Sequence, residues 1–170
     1  MTQRPEWLPP ELKYSDYSGN WDKFLDDVYE IFTHDFIQSY IQYEGSRLVY
    51  DSRIENGKEM AFWHIIQRDD SRAEDRVPEL RRCERIPWPK PILEHPNEDC
   101  ISMWENTRKR PNRRRQSRIL LWLKELNYLV VLGRRPDRIV FITAYCTDIE
   151  SQRKKLIKER DAYLNAKAAP

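Results

Sequence analysis

The chain has 170 residues, of which 39% are apolar and 34% charged, and its formal net charge is +2. That length suits one domain with a real core, and aromatics at 12%, gathered in clear segments, argue against disorder. The opening MTQRPEWLPP lacks the basic-then-apolar pattern of a signal peptide, and no apolar run approaches a bilayer's width, so a cytoplasmic, membrane-free protein is expected.

Residues 1–18, with Pro5, Pro9 and Pro10, read as an extended arm that Trp7 and Leu8 pin to a single domain over residues 19–170. From Asn20, one stripe carries Trp21, Phe24, Leu25, Val28, Ile31, Phe32 and Phe36, with Asp22, Asp26, Asp27 and Glu30 opposite, which predicts an amphipathic helix. SRLVYDSRI and KEMAFWHII read as strands joined by an Asn-Gly hairpin turn at Asn56 and Gly57. A short helix is expected over 79–85, followed by a shaped loop, because Pro87, Pro89 and Pro91 forbid a long one.

RILLWLKE is ambiguous between helix and strand, whereas NYLVVLG and DRIVFITAYCT read as strands with a tight link at Arg134, Arg135 and Pro136. A last helix follows, with Thr147 and Glu150 as a capping box and Leu156, Ile157, Tyr163 and Leu164 as its apolar stripe. The fold class is thus α+β.

Cys83, Cys100 and Cys146, like His34, His64 and His95, are too widely spaced for the common zinc patterns, so neither a metal nor another cofactor is expected. Charge is uneven along the chain. Residues 1–60 carry 6 Lys or Arg against 12 acids, while residues 101–140 carry 11 against 3. Within the second stretch lies RKRPNRRRQSR, whose Arg108, Arg110, Arg113, Arg114, Arg115 and Arg118 can neutralise several phosphates. A solvated basic loop is the plainer alternative, but the lack of acids within the run favours binding to nucleic acid. Trp104, just ahead of it, is a candidate for stacking on an unpaired base.

Strand alternation places Ile139, Phe141, Thr143 and Tyr145 on one face of DRIVFITAYCT, with two hydroxyls side by side that can hold a phosphate or position a nucleophile. His64, in apolar surroundings, is more often a core residue than a catalyst. It is still the best-placed group for proton transfer, ahead of His34 and His95. RRCERIPW offers Arg81, Arg82 and Arg85 for contact with a phosphate and Trp88 as a further RNA-binding candidate, against surface ion pairs with Glu79 and Glu84.

The ordered set FWHII, RCERIPWPKPIL, YLVVL, IVFITAYCT and RKKLIKERDAY, over roughly residues 60–163, resembles the phage-associated branch of the barnase–EndoU–colicin–RelE-like nuclease superfamily. The resemblance implies N-terminal helices packed on an antiparallel sheet with a C-terminal helix, and an active site on the sheet face. It implies a metal-independent endoribonuclease of the toxin kind, with His64, Arg85 or Arg82, Thr143 and Tyr145 as site residues. RNA, transfer RNA among the choices, would be the substrate, and an antitoxin or immunity protein a partner. The alternative is a non-catalytic nucleic-acid-binding accessory protein of a phage.

Overall fold

A computed structural model describes residues 2–68, 77–108 and 116–169. The first helix, α1 (Trp21–Phe32), begins where expected: Asn20 caps it, its side-chain oxygen accepting from the Lys23 amide at 3.1 Å. The same apolar stripe continues through a π-helical turn, Thr33–Gln38, so that Phe24, Val28, Phe32 and Phe36 are all buried.

The Asn-Gly turn forms, with Asn56 at φ 51° and Gly57 at φ 78°, the left-handed pair that a tight hairpin needs. Its strands are much shorter than expected. Small ladders pair β1 (Gln42–Tyr43) with β2 (Ser46–Arg47), and β3 (Ile54–Glu55) with β4 (Lys58–Glu59), and Val49 bridges in parallel to Val140, before the chain turns helical.

Beyond Lys58 and Glu59, KEMAFWHII is therefore not a strand. Met60–Ile66 forms helix α2, burying Ala61, Phe62, Ile65 and Ile66. Those positions repeat at the spacing of a helical face, and the packing of that face outweighs the β preference of aromatic and β-branched side chains.

Helix α3 (Leu80–Glu84) matches the short helix expected there. The proline stretch after it holds a further helix, α4 (Pro89–Glu94), where a loop was expected. Pro89 opens the first turn, where a backbone N–H has no helical partner to lose.

The body of the fold is a four-stranded antiparallel sheet, β5 (Ser102–Arg108), β6 (Gln116–Leu123), β7 (Tyr128–Arg134) and β8 (Ile139–Cys146), in that order. RILLWLKE resolves as strand because its apolar run is buried on both faces of the sheet. On one face, Ile119, Leu121, Tyr128, Val130 and Leu132 pack with Phe24, Phe32, Phe62 and Ile92 in the main core. On the other, Trp104, Leu120, Trp122, Leu129 and Val131 pack with Leu156 of the last helix, α5 (Glu150–Ala168).

Strand β8 does not alternate as its sequence implies. Val131 faces Thr143 and Leu132 faces Phe141, so Ile142 is an extra residue in a β-bulge. Before the bulge, Ile139 and Phe141 join the main core; after it, Ala144 and Cys146 do, while Ile142 and Tyr145 turn to the α5 side. The expected shared face of Ile139, Phe141, Thr143 and Tyr145 is split in two.

Helix α5 has no side-chain cap, and its N-cap residue is Ile149. Thr147 is fully buried instead, and its hydroxyl accepts from the Trp122 indole at 3.0 Å. A partner inside the core displaces the capping box. Leu156 is buried on the helix, whereas Leu164 is largely exposed.

The arm is fastened along its length. Trp7 stacks on His95 at 4.7 Å, Leu8 is fully buried, and the Leu12 amide donates to the Glu84 carbonyl at 2.8 Å. Among the described residues, no helix is long and apolar enough to cross a membrane.

Candidate active site

A cleft of about 400 Å³ opens where α2, the bulged half of β8 and the first turn of α5 meet. Its lining includes His64, Arg82, Arg118, Thr143 and Tyr145, which sequence reasoning singled out, and Trp63, Gln67, Arg68, Ile142 and Gln152, which it did not. Among the described residues, the lining holds three guanidinium groups, one imidazole and no carboxylate, and Glu79 pairs with Arg82 at 3.0 Å at its border.

Helix α2 places its residues by simple geometry. With Ala61, Phe62, Ile65 and Ile66 buried, the intervening Trp63, His64 and Gln67 fall together on the side toward the cleft. The Trp63 indole donates to the Glu55 carbonyl at 2.7 Å, which fixes the ring against the hairpin turn. His64 lies within electrostatic reach of Asp51. The Asp51 carboxyl is held below its ordinary range chiefly by its hydrogen bonds from Arg53, with His64 adding a smaller share.

Arg82 is held from several sides. It donates to the Gln67 carbonyl at 2.6 Å, approaches Glu79 at 3.0 Å, and sits 5.5 Å from the centre of the Tyr145 ring. Its charge is thereby fixed at the cleft wall beside a phenol. Thr143 donates its hydroxyl to the His64 carbonyl at 2.7 Å. A hydroxyl committed in that way cannot at the same time donate to a phosphate, so Thr143 ties β8 to α2 and sets the height of His64. Behind the bulge, Gly133 leaves room for Ile142, since a Cβ there would stand 3.1 Å from the Ile142 Cδ1.

Arg85, three residues beyond Arg82, is somewhere else entirely. Only 8% exposed, it donates to the Cys146 sulfur at 2.8 Å, approaches Glu11 of the arm at 3.3 Å, and lies 5.1 Å from the centre of the Trp88 ring. Burial opposes its charge, but Cys146 and Glu11 hold its pKa above the ordinary value. The expectation that Arg85 meets a phosphate is replaced by an internal role. Burial also pushes the Cys146 thiol up, with Arg85 opposing it.

Neither tryptophan expected to touch RNA is at the surface. Trp88 is 2% exposed and donates to the Pro9 carbonyl, and Trp104 is fully buried with its indole on Glu159 at 2.8 Å. Both rings are spent on core packing, which large aromatic area favours. Of the basic run, Arg108 closes β5, and Arg110, Arg113, Arg114 and Arg115 lie outside the described residues. Arg118 reaches the cleft from β6.

Among the described residues, no group of three or more His, Cys, Asp or Glu side chains is placed to hold a metal ion. Compared with protein-family models, with curated proteins and with solved structures, the chain gives no match.

Proposed function

We propose that the protein is an endoribonuclease that cuts RNA in this cleft without a metal ion. The observation that carries the reading is the lining itself: an imidazole, three guanidinium groups and a tyrosine around one opening. Anionic phosphate suits that environment, and transesterification needs little beyond a proton acceptor, positioning and stabilisation of added negative charge.

In this reading the ribose 2′-hydroxyl attacks the adjacent phosphorus. His64, as the neutral imidazole, takes the 2′-hydroxyl proton while the O2′–P bond forms and the P–O5′ bond breaks. Water entering the open cleft protonates the leaving 5′ oxygen, and the products are a 2′,3′-cyclic phosphate and a 5′-hydroxyl end. Arg82 and Arg118 stabilise the charge that builds on phosphorus, and Tyr145 donates to a non-bridging oxygen. Thr143 acts through His64, whose carbonyl it holds.

Purified protein incubated with total RNA in EDTA is expected to yield discrete fragments with cyclic-phosphate ends, and His64→Ala to slow cleavage by about 10²- to 10⁴-fold. Equal cleavage by His64→Ala, or cleavage only with added magnesium, would sink the proposal.

A second reading, a nucleic-acid-binding module without catalysis, draws on a separate observation. Arg82 and Thr143 are already bonded to backbone carbonyls on α2 and at its end, as structural side chains are. Salt-dependent RNA binding by both proteins with cleavage by neither would establish it.

A further inference from the structure

We infer that the cleft accepts a single unpaired nucleotide, with its base laid on Trp63 and its phosphate on Arg82 and Arg118; the inference rests on the ribonuclease reading and names its substrate class. The cleft is a pocket of about 400 Å³ against the edge of the sheet, on a scale that suits one small ligand rather than a double helix. In an RNA duplex the base faces are hidden in the stack and the major groove is too deep and narrow for side chains. A pocket that engages one nucleotide therefore selects strands whose bases can be splayed out.

Trp63 is the aromatic in that lining next to the proposed proton acceptor, since it precedes His64 on α2 and both line the cleft. Its ring is already fixed. The indole N–H is bonded to the Glu55 carbonyl, Phe62 packs against it at 5.3 Å, and the Lys58 ammonium lies 5.9 Å from its centre. A ring fixed in advance loses little freedom when a base stacks on it.

The amide of Gln152, from the first turn of α5, also lines the cleft. It brings a donor and an acceptor that can pair with a base edge. Stacking accepts every base, and that amide then supplies a preference among them.

The test is equilibrium binding of a short 2′-O-methyl RNA, which lacks the attacking hydroxyl and so cannot be cut, offered as a single strand and as the matching duplex. The single strand is expected to bind at least about tenfold more tightly than the duplex. Trp63→Ala should weaken it by about tenfold or more, while Trp63→Phe retains most of the affinity. Comparing the fluorescence quench of the native protein with that of Trp63→Phe reports the stacking directly. Equal binding of duplex and single strand, or an unchanged affinity in folded Trp63→Ala, would overturn the inference even if cleavage of natural RNA is observed. Single-strand binding through Trp63 without any cleavage would uphold the inference and remove the catalytic reading alone.

Discussion

The two faces of the four-stranded sheet are covered very differently. One is packed against α1, α2, α4 and the arm, and holds most of the buried aromatic side chains. On the other, the helix packed among the described residues is α5, which lies against β5 with its Glu159 on Trp104 and its Arg160 beside Ser102. A helix about 10 Å across spans roughly two strands set about 4.8 Å apart. On that face α5 lies mainly over β5, and the cleft opens at β8, between the first turn of α5 and α2. The lesson is that the candidate site lies at the margin of the thinner layer, on a strand whose bulge turns Ile142 and Tyr145 to that side.

If that contrast is right, damage to the first face should unfold the protein and damage at the edge of the second should disable it. The largest effect is expected from Phe32→Ala. Phe32 is fully buried and packs on Phe36 at 4.9 Å and Phe62 at 5.4 Å, so truncation should cost about 3–5 kcal/mol in urea denaturation. Leu156→Ala on the other face should cost nearer about 2 kcal/mol, because its cluster is smaller and can relax toward solvent. Equal losses would show that the faces do not differ in this way.

Next comes a pair of arginines on one short stretch of chain. Arg85→Ala breaks a buried cluster, leaving Glu11 and Cys146 without their cation, and should destabilise by about 2–3 kcal/mol while the folded protein still binds RNA normally. Arg82→Ala should do the reverse, lowering RNA affinity by about tenfold at a stability cost of about 1 kcal/mol. Loss of RNA affinity in folded Arg85→Ala would erase the distinction between them.

The smallest effect should be Thr143→Val, which removes the bond to the His64 carbonyl for about 1 kcal/mol. On the ribonuclease reading, kcat should fall with KM nearly unchanged, and Thr143→Ser should restore it. A rise in KM alone would place Thr143 on the substrate instead.

Much of this was legible without coordinates. His64, Arg82, Arg118, Thr143 and Tyr145 come together at one cleft after being picked out by residue type and order alone. Trp63 and Gln67 were equally readable, because a helical phase for MAFWHII puts them beside His64. Reading that segment as a strand hid them. Trp88, Trp104 and Arg85 misled for another reason: each looks like a binding side chain by type, and only burial shows that its partners are Pro9, Glu159 and Cys146.

By itself, the sequence determined the α+β class, α1 from just after Asn20, the Asn-Gly turn, and strands β7 and β8, because periodicity and turn chemistry are local properties of neighbouring residues. Tertiary structure decided the helical state of Met60–Ile66, the face to which Tyr145 turns, and which of two nearby arginines lines the cleft. Those choices depend on surfaces supplied by distant parts of the chain, and the energy of burying a side chain against them exceeds any local preference.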